Sequence, residues 1–393
     1  MIALRGRLQL GGLIALGSAG FVTILTEALP AGLLPQISKD LGVTEAAAGQ
    51  WVSVYALGSL AAAIPLTSVT RHWRRRPLLL AATLSFALGN GVTAITDSFA
   101  ISLVARFVGG VAAGLLWALL ARYAVRLAPE RLAGRATAIA MAGTPVALSI
   151  GIPAGTALGA WAGWRIAFAA LSVGAIALAA WMALRVPDFP GEDAAHRPSL
   201  RQVLTLPGLR QVLILTLCFV LAHNILYTYI APLLTRREMV EQTDRVLLTF
   251  GIAGLVSILV TGALIDRHLR LLTGVAVFLF AGAAILLGLS MNPVAIYASA
   301  AIWGLGFGGA ATLFQTASAR AADNSADVAQ AMIVTTWNLA IASGAILGGA
   351  LLDQFGARSL PETAFVLLAA AAAAVLPRTR SSLRSLSTMK SER

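Results

Sequence analysis

Long stretches without a single charged side chain constrain this sequence more than any other feature. Residues 8–26, 46–70, 77–96, 107–121, 136–164, 166–184, 211–235, 246–265, 271–319 and 328–352 contain no Asp, Glu, Lys or Arg. A helix that crosses a bilayer needs about 20 consecutive apolar residues. Only 12% of the 393 residues are charged, against roughly 25% in soluble domains. With 58% hydrophobic residues and a mean hydropathy of +0.82, too few polar residues exist to cover a water-soluble globule, and disorder is excluded. The chain is an all-α membrane protein. The run 271–319 is too long for one pass and breaks at Asn292-Pro293. Residues 98–121 form one helix interrupted by Arg106, and 357–377 hold a last, weaker span. The pattern predicts twelve transmembrane helices near 12–36, 47–70, 77–96, 99–126, 134–161, 165–185, 211–234, 246–265, 271–290, 294–319, 328–352 and 357–377. Only short loops and tails remain.

A net charge of +12 could suggest nucleic acid, but its distribution points elsewhere. With both termini on one side, that side carries 22 of the Lys and Arg residues and the other carries 6. Such a bias is the positive-inside rule, so both termini are expected in the cytoplasm and no nucleic-acid partner is expected. The apolar stretch at the N-terminus continues to about residue 36, beyond the 7–15 residues of a signal-peptide core, and reads as the first membrane helix. Cys218 is the single cysteine, so no disulfide forms within the chain and no metal site is expected.

The polar stretch 186–210 is the only long one between helices, and it divides the chain into a six-helix bundle at 1–185, a cytoplasmic linker and a second bundle at 211–393. The two halves echo each other. LTSVTRHWRR at 66–75 matches GALIDRHLR at 262–270, offset by 196, and RFVGGVAAGLLW at 106–117 matches WGLGFGGAATLF at 303–314, offset by 197. GIPAG and GWR at 151–155 and 163–165 match GAILG and GAR at 344–348 and 356–358, offset by 193. Pseudo-symmetric six-helix bundles point to a transporter with its site between them.

The loop 66–76, the RxxxG of the fourth helix (Arg106 to Gly110) and the glycine–proline pattern of the fifth (Gly143, Pro145, Gly151, Pro153, Gly155) resemble motifs of the major facilitator superfamily. TEALPAGLLPQISKDLGVTEAAAGQWVSVYALG is closer still to the twelve-helix drug:proton antiporters, in the arabinose-efflux and purine-nucleoside-efflux branch. The resemblance implies the major facilitator fold and export by alternating access. A small molecule (a sugar, nucleoside or drug) would leave in exchange for protons across a bacterial inner membrane. It further implies a monomer in the lipid bilayer without cofactors. The helix-five pattern, in the family, seals the interface between halves.

Glu27 lies in an otherwise uncharged segment running from 8 to 38. An ionised carboxylate at membrane depth costs roughly 2.5–3.5 kcal/mol on insertion scales, so it must reach water, find a partner or take up a proton. It reads either as a proton carrier or as an acid at the outer interface, where Pro30 bends the helix. The resemblance favours the first. Arg106 is the only Lys or Arg lying well inside a predicted span, away from its ends, and cannot discharge; it needs water, a carboxylate or carbonyls, and the family's topology makes Glu27 the nearest partner. His223, Asn224 and Tyr227 fall at i, i+1 and i+4 on one helical face, a polar stripe suited to a hydroxylated or heterocyclic substrate. Gln315, Trp337, Asn338 and Trp117 are further cavity candidates. In the family's loop motif G-x-L-x-D-R-x-G-R-R, the first loop keeps Arg71, Arg74 and Arg75 but has Thr70 at the acid. The second keeps Gly262, Asp266, Arg267 and Arg270. The conformational lock that the acid provides is therefore expected in the second loop only.

No Walker loop and no H-E-x-x-H occur, so neither ATP drive nor enzyme chemistry is indicated. The alternative to an antiporter is a transport-silent sensor or scaffold of the same fold. The topology has a direct check. A cysteine at Ser199, in a chain with Cys218 replaced, should react with a membrane-impermeant thiol reagent only from the cytoplasmic side; labelling from outside alone overturns the assignment.

Overall fold

The computed structural model describes residues 9–63, 65–70, 72–129, 132–191, 208–322 and 326–375; most of the 186–210 linker lies outside them. Its helices are α1 (Leu10–Ala28), α2 (Pro30–Leu41), α3 (Glu45–Ala63), α4 (Pro65–Val69), α5 (Arg75–Ile95), α6 (Phe99–Arg126), α7 (Ala133–Met141), α8 (Gly143–Val146), α9 (Ile152–Ala162) and α10 (Trp164–Arg185). After the linker come α11 (Leu209–Thr228), α12 (Ile230–Thr235), α13 (Thr243–Leu289), α14 (Pro293–Phe307), α15 (Ala310–Ala322), α16 (Ala326–Phe355) and α17 (Ser359–Val375). Ten helical segments among the described residues are long and apolar enough to cross a membrane. Joined across their breaks, the helices make twelve passes.

The breaks have identifiable causes. Proline lacks an N–H and clashes with the preceding turn, so α1 gives way to α2 at Pro30. Pro65 opens α4 after α3. Pro145 and Pro153 bracket a π-helical turn, Ala147–Gly151, inside the fifth pass. The Ser149 hydroxyl donates to the Pro145 carbonyl at 2.7 Å. The two helices that the sequence predicts at 246–265 and 271–290 are both present, as the two arms of α13 on either side of a kink at His268 (φ −127, ψ 27). A straight helix of 47 residues would extend about 70 Å, twice the hydrocarbon thickness, so the turn is obligatory.

One end of the bundle, here the near end, holds the start of α1 and the end of α10; the other is the far end. Helices up to α10 pack largely among themselves, as do those from α11 onward, and the two sets meet through α3 with α16, α9 with α13 and α2 with α12. The contacts between them sit towards the far end and the middle. The Tyr229 hydroxyl donates to the Ala345 carbonyl at 2.7 Å and reaches the Ala46 carbonyl at 3.4 Å. Gln50 Nε2 donates to the same Ala345 carbonyl at 3.4 Å. Only a glycine at position 49 leaves room for the tyrosine, since a Cβ there would lie 2.3 Å from its oxygen.

At the near end, the residues after α10 grip the loop before α5. One Asp188 oxygen accepts the Arg76 amide at 3.0 Å and the other accepts from Arg74 Nε. Asp188 thereby offers a carboxylate to the start of α5, where the amides are unpaired and the helix dipole is positive. The Phe189 carbonyl accepts the Arg75 amide at 2.9 Å, and its ring lies 5.2 Å from that of Tyr123. The Tyr123 hydroxyl donates to the Pro187 carbonyl at 2.6 Å. Burial opposes ionisation of Asp188, but hydrogen bonds from the Arg76 and Phe189 amides and from Arg74, with the Arg74 charge, outweigh it and hold the carboxyl below its usual range.

The sign follows: a depressed carboxyl stabilises the fold above its unfolded pKa and loses that contribution as pH falls through the folded value. Asp188→Asn should lower thermal stability at neutral pH by about 1 kcal/mol, the scale of a helix cap, and the difference from the parent should shrink in acid. A pH series of thermal melts checks this; a difference that grows below about pH 4, the ordinary carboxylate range, contradicts it.

Candidate functional site

The first-half site is organised by the break in the first pass. Pro30 has no N–H, so the Thr26 carbonyl loses its helical donor. Arg106, only 2% exposed in α6, supplies replacements: Nη1 donates to the Thr26 carbonyl, Nη2 to the Glu27 carbonyl at 3.1 Å and Nε to the Trp51 carbonyl at 3.4 Å. Its guanidinium lies 4.8 Å from the Tyr55 ring centre, within cation–π range. The Tyr55 hydroxyl donates to the Thr23 carbonyl at 3.2 Å, and Asn90 Nδ2 donates to Thr26 Oγ1 at 2.9 Å. The half-buried Glu27 therefore meets Arg106 through its main chain. Among the described residues no ion pair within 4 Å joins its carboxylate to the guanidinium, although the two are close enough to act on each other electrostatically.

Glycines allow this approach. A Cβ at Gly110 would lie 1.9 Å from the Tyr55 carbonyl oxygen, and one at Gly58 would lie 2.4 Å from that of Phe107. Backbone contact between α3 and α6 puts the Trp51 carbonyl within reach of Arg106.

The second-half candidates separate. His223 and Tyr227, 5% and 3% exposed, stack at 5.0 Å between centroids and enter an aromatic cluster with Phe250, Phe280, Trp303 and Phe307. Asn224 does not share their surroundings. It donates to the Val220 carbonyl at 2.9 Å and its Cβ faces Gly344 of α16, because one residue along a helix turns a side chain by about 100°. Trp337 is half-buried and lies 6.1 Å from Phe307, so it borders the same cluster. Asn338 donates to its own helix at the Val334 carbonyl, 3.0 Å away. Gln315 is exposed on α15. Trp117 belongs to the first half, where it covers Gly20 of α1.

The helix-five motif faces both ways: its glycines seat the first pass, while the turn between its prolines packs on α13 of the other half. A Cβ at Gly143 would lie 1.8 Å from the Gly17 carbonyl oxygen; at Gly151 it would meet Leu25 and Phe21, and at Gly155 Leu29. Pro153 is buried at the start of α9 and Pro145 is half-buried. Contact with the other half comes from Ser149 between the two prolines, against Gly251. Of the loop motifs, Arg74 pairs with Asp188, Arg75 is buried, Arg267 and Arg270 are exposed, and Gly262 has open space around it. Arg71 and the Asp266 side chain lie outside the described residues.

Sequence reading missed Tyr55, Trp51, Asn90 and Trp303. Asn90 was discoverable as a polar residue at membrane depth; the aromatic residues carry no such signal.

The close contact at Gly110 generates a contrast. Gly110→Ala should destabilise the protein by about 1–3 kcal/mol, as overpacking does. Gly174→Ala, in α10 with nothing within 4 Å of its Cβ, should be neutral or stabilising by up to about 1 kcal/mol. Thermal unfolding of the purified variants reads the difference; equal losses would refute the packing account.

The sequence model of the Major Facilitator Superfamily matches residues 16–342. Among similar proteins, a chloramphenicol efflux pump of Mycobacterium tuberculosis (strain ATCC 25618 / H37Rv) is 31% identical over 90% of this chain and 88% of its own. A purine ribonucleoside efflux pump of Escherichia coli (strain K12) is 29% identical over 86% of each. The fold is similar to that of the nucleoside transporter NupG, as a D323A mutant, with a TM-score of 0.72 at 12% identity, covering 93% of this chain and 97% of that one. It is also similar to the human organic anion transporter MFSD10, with a TM-score of 0.67 at 16% identity, covering 94% and 97%.

Proposed function

Because this chain belongs to the Major Facilitator Superfamily and is a secondary transporter exporting small molecules across a bacterial inner membrane, we propose that proton entry drives it, with Glu27 as the proton-carrying group. The supporting observation is a carboxylate at a proline break in the first pass, beside a buried guanidinium that holds the two carbonyls next to it.

In this reading Arg106 is a fixed charge and a splint. It keeps the broken helix in one shape while the Glu27 carboxylate, left out of that hydrogen-bond set, exchanges a proton. Protonation removes the negative charge that the guanidinium feels and changes the balance between facing states; the halves 1–185 and 211–393 rock about the linker. The contacts of Tyr229, Gln50 and Ser149 towards the far end fit a state closed there and facing the cytoplasm, with both termini on the cytoplasmic side. A proton moving through about 150 mV releases about 3.5 kcal/mol, enough for a several-hundred-fold substrate gradient at one proton per molecule. The names of the relatives, a chloramphenicol and a purine ribonucleoside efflux pump, support a polar solute carrying an aromatic ring as the substrate class, and the proposed working unit is a monomer.

Glu27→Gln fixes the neutral form. In proteoliposomes it should abolish pH-driven export while substrate binding and passive exchange persist. Export against a gradient with parental proton release would place the proton site elsewhere.

A further inference from the structure

The offset of 197 in the fourth and tenth passes carries Arg106 onto Trp303, and the matching breaks of the first and seventh passes, after Ala28 and after Thr228, carry Glu27 onto Tyr227, one turn from His223. The structure brings these second-half residues together: the Trp303 ring lies 6.0 Å from that of Tyr227 and 5.3 Å from that of His223. Where the first half has a carboxylate and a guanidinium, the second has two neutral-capable aromatic rings. The polar atoms there differ in another respect. Every guanidinium nitrogen of Arg106 has a carbonyl partner, whereas His223 Nδ1, Tyr227 Oη and Trp303 Nε1 are buried without any hydrogen-bond partner. Three such atoms in one cluster are unusual, since buried polar groups are nearly always paired and leaving one unpaired is unfavourable.

The geometry points to these three residues as a binding site for a planar aromatic group with hydrogen-bond acceptors on its edge, an inference that rests on the exporter reading above. Trp303 Nε1 can only donate, so the ligand must present an acceptor; the Tyr227 hydroxyl donates or accepts, and a neutral imidazole does both through its two nitrogens. The stacking position is already drawn by Phe307, whose ring lies 3.5 Å from that of His223 at 10°. Phe307 is the last residue of α14, directly before Gly308 and Gly309 where the tenth pass breaks, and Ser257 takes over the Gly309 amide at 3.1 Å. A flat ring that displaced Phe307 would keep the stack on His223 and offer its edge to the three unpaired atoms. Trp337, half-buried and 6.1 Å from Phe307, marks the approach. Both a purine base and a nitroaryl ring have the required edge. The two halves then divide their labour, with the proton in the first and the cargo's ring in the second.

The test uses Tyr227→Phe and Trp303→Phe, which keep the rings and delete the polar atoms. Equilibrium binding of radiolabelled guanosine and chloramphenicol to purified full-length protein is measured beside thermal unfolding, with ribose as the control that lacks an aromatic ring. Each variant should bind at least one ring-bearing probe about 10-fold more weakly than the parent, with ribose unchanged and the melting temperature equal or higher, because an unpaired buried atom is gone. Three results overturn the site: affinity equal to the parent's, loss of affinity together with a lowered melting temperature, or a parent that binds neither probe. The exporter reading fails separately, if the parent in proteoliposomes moves neither probe against its gradient under an imposed pH difference.

Discussion

Arg106 holds three main-chain carbonyls from two helices, and the first half is arranged around that fact. A proline break at membrane depth frees a carbonyl that has no water to turn to, and an arginine at the same depth has no way to discharge. Each is unfavourable alone. Together they satisfy each other, with Trp51 and Tyr55 of α3 completing the enclosure. The glycines of α3 and α6 follow from this arrangement, because any side chain at Gly110 would push the Tyr55 main chain out of reach.

The carboxylate beside this arrangement is spared from structural duty. Had Glu27 paired directly with Arg106, releasing it would leave an uncompensated buried charge. With the guanidinium already bonded to carbonyls, the carboxylate can change its protonation state without dismantling the helix break. That separation of structural and titrating roles makes a proton carrier compatible with a stable fold.

Much of the fold was legible in the sequence because membrane passage imposes long uncharged runs, and these located most of the passes. The break of the first pass was legible from Pro30. What could not be read was partnership. Arg106 and Glu27 looked like an ion pair since both carry charge, but the guanidinium's partners are carbonyls, which every residue has and no composition reveals. His223, Asn224 and Tyr227 looked like one stripe, yet Asn224 is turned towards α16 while the other two enter a cluster drawn from α13 and α14. Asp188 escaped notice because its partners are an amide and an arginine more than a hundred positions earlier in the chain. The helix-five glycines seat α1 and α2, a local role that their spacing alone does not reveal, while the π turn beside them packs on α13.

The far-end contact of Tyr229 has a consequence for how the halves part. Its hydroxyl reaches across to Ala46 at 3.4 Å while holding Ala345 of its own set at 2.7 Å, so parting the halves there stretches the weaker bond and leaves the tyrosine still paired. The hydrogen bonds of this closure are long, on the order of 1 kcal/mol for each bond lost, and apolar contact such as that of Val52 and Ala56 with Val220 and Ala340 supplies the rest. Parting the halves at this point therefore leaves no hydroxyl orphaned.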